Sequence, residues 1–258
     1  MEIKKGDYVT RKSYNHDTTF VVLNISNNIF YLKGVDVRLY ADSKKEDLVK
    51  VDLRREKEDF IIKFKDEFLM DRSDYFYLPA KILHIDGDKD YLNRCLSFYK
   101  EANVFAVARY INEKDMARVL PQLLTEVNPD ILIISGHDAY YRKKGDIHDI
   151  NNYKNTPNFI KAVNEARKYE KSHEKLVIIA GACQSNYEEL IKAGANYASS
   201  PKRINIHALD PAIIAVTLAL TERDQAIDLF SLLEKTKYGK DGIGGIKGNG
   251  LMYVGYPR

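Results

Sequence analysis

The chain has 258 residues, 45% hydrophobic and 30% charged, with a formal net charge of +3 and two cysteines. This composition describes a globular chain long enough for one large domain and a second small module. It excludes a disulfide-rich scaffold, and so small a charge without clustered Lys and Arg points away from nucleic acid and membrane as partners.

Residues 1–6 lack the apolar core of a signal peptide, and no later run approaches the roughly 18 apolar residues that span a bilayer. The protein is therefore expected to stay inside the cell that makes it. Residues 1–52 read as short strands with turns. Tyr8-Val9-Thr10-Arg11 is one, Thr19 to Ile25 alternates, Asn27-Asn28 turns, and Ile29 to Gly34 returns. The expected module is a small SH3-like β-barrel. It has no basic stripe interleaved with aromatics, so assembly or targeting and plain structural support are its leading roles, ahead of nucleic-acid binding.

Residues 53–78 form a charged connector. Arg54-Arg55-Glu56-Lys57-Glu58-Asp59 mixes signs around a sparse apolar pattern, which suggests an exposed helix or linker open to proteolysis, with Arg54, Arg55 and Arg72 as its sites for any protease that prefers basic residues. Tyr75 to Pro79 then opens the second domain, residues 79–258.

From Lys81 the pattern alternates strand and helix. Ile82 to Ile85 is a strand, and Tyr91 to Glu101 a helix that puts Leu92, Cys95, Leu96 and Tyr99 on one face, making Cys95 a core residue. A strand over Val104 to Ala108 and a helix over Glu113 to Val127 follow. The apolar run Ile131 to Ile134 ends in Ser135-Gly136-His137. A long polar excursion, Asp138 to Thr156, should overhang the ligand crevice at the carboxyl edge of the sheet. After a helix over Pro157 to Tyr169, the run Leu176 to Ala180 ends in Gly181-Ala182-Cys183 and leads into a helix from Asn186 to Lys192.

The remaining expectations are a short strand and turn over Ala195 to Pro201, a strand over Ile204 to His207, a buried helix over Pro211 to Glu222, further helix over Asp224 to Lys235, and a final strand over Leu251 to Gly255. The glycines between 239 and 250 resemble a phosphate loop in composition only, since no Gly-Lys-Ser/Thr is present. Two isolated cysteines offer no zinc spacing, and no cofactor is expected.

A buried parallel strand delivers one reactive side chain to the carboxyl edge of its sheet. Cys183 and His137 stand at two such ends, which suits a thiol hydrolase needing a thiolate, a base and N–H donors for an oxyanion. A cysteine just before a helix also has its thiolate favoured by the helix dipole. The plainer readings are a buried small apolar residue for Cys183 and a polar strand cap for His137.

The order strand-His, helix, strand-Ala-Cys resembles the caspase-like (clan CD) cysteine peptidases. More specifically, Ser135-Gly136-His137-Asp138-Ala139-Tyr140, Ala180-Gly181-Ala182-Cys183-Gln184-Ser185, residues 193–201 and Asn205-Ile206-His207-Ala208-Leu209-Asp210-Pro211, with Gly6-Asp7-Tyr8-Val9 near the start, resemble the YabG family of sporulation-specific cysteine proteases. The resemblance implies a caspase-like α/β fold with a mostly parallel sheet flanked by helices. It implies an endopeptidase with Cys183 as nucleophile and His137 as base, acting on spore coat and germination proteins in the mother cell and the forming coat. Gly136 and Cys183 are the implied oxyanion donors, although in the broader pattern the glycine follows the His, where Asp138 stands here.

In the caspase-like fold the loop after the first strand reaches the pocket for the residue before the cut bond. Here that loop holds Asp86 and Asp88, so cleavage after Arg is expected; the alternative is that both carboxylates cap the helix starting near Lys89. Two other readings stand beside the peptidase. One is a glutamine amidotransferase-like thiol enzyme using Cys183 and His207, with Asp210 as carboxylate; the other is a non-enzymatic spore-structural adaptor.

Overall fold

The computed structural model describes residues 2–53, 75–141 and 145–256. The chain divides into two compact units, residues 1–59 and 60–258.

In the first unit, β1 (Tyr8–Arg11), β2 (Phe20–Ser26), β3 (Ile29–Gly34), β4 (Tyr40–Lys44) and β5 (Leu48–Lys50) form an antiparallel sheet in the order β4-β3-β2-β1-β5. The alternation read in the sequence sets its core: Val9, Phe20, Val22, Phe30, Leu32 and Leu48 point inward. Asn27 and Asn28 both adopt positive φ, the geometry of the tight hairpin turn that asparagine tolerates. The last strand returns to pair with the first, Val9 opposite Lys50. Most of the expected charged connector, with Arg54, Arg55 and Arg72, lies outside the described residues.

The second unit is built on a six-stranded sheet: β7 (Ile82–Asp86), β8 (Ala106–Tyr110), β9 (Ile131–Ser135), β10 (Val177–Ala180), β11 (Tyr197–Ser199) and β12 (Ile243–Gly245), in the order β12-β11-β10-β9-β7-β8. Neighbours pair in parallel except β12, which runs antiparallel to β11. Its helices are α1 (Lys89–Glu101), α2 (Met116–Val127), α3 (Thr156–Tyr169), α4 (Tyr187–Lys192), α5 (Asp210–Leu220), α6 (Leu229–Glu234) and α7 (Gly239–Gly242). Continuous apolar strands are needed because both faces are covered. Ile131, Ile133, Val177 and Ile179 meet α1 and α5 residues, whereas Leu132, Ile134, Ile178 and Ala180 meet those of α2, α3 and α4. Cys95 is fully buried in the first of these cores. Helix α5 is buried along its whole length, as its all-round apolar sequence requires.

Several expectations are corrected. Ile204 to His207 forms no named strand, because its backbone is used by the Cys183 loop: Gln184 donates its N–H to the Ile204 carbonyl at 3.0 Å. The helix expected over Asp224 to Lys235 is confined to α6. The final strand, β13 (Tyr253–Gly255), joins β6 (Phe76–Leu78) in a separate two-stranded sheet. The glycine-rich stretch supplies α7 and the edge strand β12. A Cβ on Gly245 would collide with the Tyr197 ring and the Asn196 carbonyl, so close backbone approach, not phosphate binding, accounts for that residue. No described helix is long and apolar enough to cross a membrane.

Gly245→Ala is accordingly expected to lower unfolding stability by about 1–3 kcal/mol through overpacking. Gly248→Ala, where a Cβ meets open space, should change it little. Urea denaturation of both variants checks the pair, and equal stabilities would refute the packing argument.

Candidate active site

Strand register sets the ends of β7, β9 and β10 side by side. Ile85 of β7 pairs with Ile134 of β9, and Ile134 pairs with Ala180 of β10. Three residues beyond these paired positions stand Asp88, His137 and Cys183. Adjacent strands lie about 4.8 Å apart, so neighbouring strands deliver these three residues to loops at the same carboxyl edge.

His137 lies between two carboxylates. Its Nε2 is 3.4 Å from Asp88 Oδ2 and its Nδ1 3.5 Å from Glu113 Oε1, with 13% of the side chain exposed. Its backbone N–H donates to the same Glu113 oxygen at 2.8 Å. Burial pulls the imidazole pKa down, but the two carboxylates outweigh it and hold His137 above its ordinary value. For Glu113, burial pushes upward and the contacts from His137 pull it below the usual carboxylate range. Asp88 also caps α1, its Oδ1 accepting the N–H groups of Asp90 at 2.9 Å and Tyr91 at 3.1 Å. Asp86 is fully buried. It accepts the Asp88 N–H at 2.8 Å and the Ser135 hydroxyl at 2.7 Å, and Ser135 is linked through His84 to Tyr99.

Cys183 is fully buried, its Sγ accepting the Ile206 N–H at 3.3 Å and lying 3.7 Å from the Ile206 carbonyl. The turn after it is strained: Gln184 has φ +60°, a left-handed conformation that costs a non-glycine residue about 1–3 kcal/mol. Asn186, not Cys183, caps α4, its side chain accepting the Glu189 N–H. Cys183 stands four residues before the first helical residue, so the expected support from the helix dipole, which fades within one turn, falls mainly on Asn186.

The loops that follow β9 and β10 are joined by Asp138. Its Oδ1 accepts the N–H groups of Ala139 and Asn155, and its Oδ2 accepts the hydroxyls of Thr156 at 2.5 Å and Ser185 at 2.9 Å. Ser185 in turn accepts the Ala182 N–H at 2.9 Å, so the residue after His137 is tied to the residue before Cys183. Burial pushes the Asp138 carboxyl above its ordinary pKa, against the pull of these four donors. The long excursion after His137 is closed at its base by Asp138, by the Asn155 amide donating to the His137 carbonyl, and by the Tyr140–Tyr153 bridge. His207 makes local contacts just before α5. Its Nδ1 accepts the Leu209 N–H at 3.2 Å and its own N–H donates to Asp210 at the start of α5.

Sequence reasoning missed Glu113, Asp138 and Ser185 as members of this cluster. The signal for Glu113 was its place just past β8 at the same sheet edge; an acid before a helix reads more naturally as a solvated end.

The YabG peptidase U57 family model matches residues 4–63 and 53–257. The sporulation-specific protease YabG of Bacillus subtilis (strain 168) is 39% identical over 286 residues, covering 100% of this chain and 99% of its own. Among solved structures, a mutant receiver domain of the histidine kinase CKI1 from Arabidopsis thaliana covers 52% of this chain and 82% of its own at 18% identity, with a TM-score of 0.31. That last likeness is too slight to bear on fold or function.

Ser185→Ala leaves the buried Ala182 N–H without its acceptor and Asp138 one donor short. We expect a loss of about 1–3 kcal/mol in urea denaturation. A stability within error of wild type would show that the link between the loops carries no energy.

Proposed function

The chain belongs to the YabG family of sporulation-specific peptidases, and we propose that it is a cysteine endopeptidase with Cys183 as nucleophile and His137 as its acid-base partner. The observation that carries this reading is the register that sets both residues three positions past paired strand residues, with Asp138 and Ser185 tying their loops together. The caspase-like reading draws support from the strand order and from the antiparallel edge strand β12. The SH3-like reading of residues 1–52 draws support from the pairing of β1 with β5.

In this reading the Cys183 thiolate attacks the scissile carbonyl carbon and forms a C–S bond. The His137 imidazolium gives its proton to the leaving amine as the C–N bond breaks. Water then yields a proton to His137 and attacks the thioester, releasing the acid and restoring Cys183. A histidine whose protonated form is favoured by Asp88 and Glu113 in turn favours the thiolate of a Cys183 that it meets. The Cys183 N–H is one oxyanion donor. For the second we favour the N–H of Asp138 over that of Gly136, because the Glu113 carboxylate packs against Gly136 and would repel an oxyanion there. A backbone donor is indifferent to its side chain, and the Asp138 side chain turns inward to Thr156 and Ser185.

The acidic row also suits a basic residue before the cut bond, with Arg above Lys because its fork matches a carboxylate. Asp88 carries that preference in competition with its contact to His137, and Asp86 acts behind it. The substrates proposed are spore coat and germination proteins, met in the mother cell and forming coat.

His137→Ala is expected to abolish peptide cleavage with native circular dichroism, whereas His207→Ala should leave most turnover intact. The opposite order would favour the amidotransferase-like reading. With fluorogenic peptides, Asp88→Asn should reduce turnover of an Arg substrate by a larger factor than that of a neutral one if Asp88 meets substrate. An equal loss on both would confine Asp88 to His137. The charge contacts of His137 also fix a pH window. Its raised pKa contributes stability that is full below the ordinary 6.5 and lost as pH rises through the folded value. The lowered Glu113 pKa contributes above the ordinary 4.5 and is lost as pH falls through the folded value. Unfolding titrations of wild type against Glu113→Gln should therefore differ most between those two values, and a difference that is flat with pH would contradict the pairing.

A further inference from the structure

The glycines before Asp88 and His137 share one purpose. Asp86 pairs with Ser135 across β7 and β9, so Gly87 and Gly136 stand side by side at the strand ends. A Cβ on Gly87 would collide with the Glu113 carboxylate, and a Cβ on Gly136 would stand 2.6 Å from Glu113 Oε1. Both strands thus give up a side chain at the position where Glu113 enters from the loop between β8 and α2. Glu113 is 7% exposed, and it grips His137 twice, through the backbone N–H and the ring.

Resting on the assignment of His137 as acid-base partner, we propose that Glu113 is a positioning residue for that reaction, seated by Gly87 and Gly136, which fixes the place of the His137 backbone and keeps its ring in the charged form. A buried carboxylate with no cationic partner would be costly, and His137 is the group its contacts select. The N–H bond sets where the histidine stands beyond β9. The Nδ1 contact favours a proton on that nitrogen, while Asp88 does the same at Nε2. Asp88 and Glu113 face the ring, as does Tyr91, whose ring centroid is 6.2 Å away. This gives the Asp-Gly-Asp and Ser-Gly-His sequences a common explanation: in each, the glycine makes room for the carboxylate that enters from the loop after β8.

The test separates this role from the peptidase assignment by observing His137 in protein that does not turn over. In a Cys183→Ala background, the His137 ring proton is followed by NMR against pH, with and without Glu113→Gln. Loss of the charge should move the His137 titration to lower pH. In otherwise wild-type enzyme, Glu113→Gln should shift the alkaline limb of kcat/KM the same way and lower kcat by about tenfold to a hundredfold with little change in KM. Gly136→Ala, which crowds Glu113 without removing it, should also lower kcat, and Gly248→Ala should not. An unchanged His137 titration in Glu113→Gln would overturn the proposal even if activity fell. Persistent cleavage by Cys183→Ala would overturn the nucleophile assignment and leave the titration result to stand or fall separately.

Discussion

The site depends on one buried carboxylate. Asp138 lies directly after His137 and receives four donors, two from backbone and two from hydroxyls, each from a segment that must be held at the edge of the sheet. Parallel strands fix where β9 and β10 end but leave the loops beyond them free to diverge. Asp138 removes that freedom by drawing the far end of the long excursion, through Asn155 and Thr156, and the loop around Cys183, through Ser185, onto a single point. Such a network is effective only when fully satisfied, since a buried carboxylate missing partners costs several kcal/mol. Here both hydroxyls also accept a backbone N–H, Thr156 from Asn186 and Ser185 from Ala182.

Electrostatics then gives the carboxylates different roles. Asp138 is embedded among neutral donors and holds backbone. Asp86 is equally buried and ends a side-chain chain running from Tyr99 through His84 and Ser135, fixing the N–H of Asp88. Asp88 and Glu113 both meet the imidazole of His137, which answers their charge. That ring sits at the junction of three strand ends, which explains how the two carboxylates hold the pKa of a mostly buried histidine above its ordinary value against the desolvation that opposes it.

Much of this is legible in the sequence because the governing patterns are local. Ile82 to Ile85, Ile131 to Ile134 and Val177 to Ala180 are short apolar runs with glycine close behind them, and their ends alone place His137 and Cys183 at one edge of a sheet. The unread parts depend on distant partners. β12 is two-thirds glycine, with no strand propensity, and exists because β11 offers an edge and Tyr187 and Tyr197 need the space of missing side chains. Ile204 to His207 has the composition of a strand, but its backbone serves the Cys183 loop. Asp138 reads as a departure from the caspase-like pattern because its role requires knowing that Ser185 and Thr156 lie beside it. Glu113 is hidden by its ordinary position before a helix.

The most direct test of the central claim is covalent capture. Native protein is treated with a peptide bearing Arg and a thiol-reactive electrophile in place of the scissile bond, and the adduct is mapped by mass spectrometry. The account requires a single adduct on Cys183, formed much more slowly when His137 is replaced by Ala, with Cys95, which lies in the core under α1 and away from the carboxyl edge, untouched. Peptide cleavage that continues without any adduct on Cys183, or capture at Cys95 instead, would contradict it.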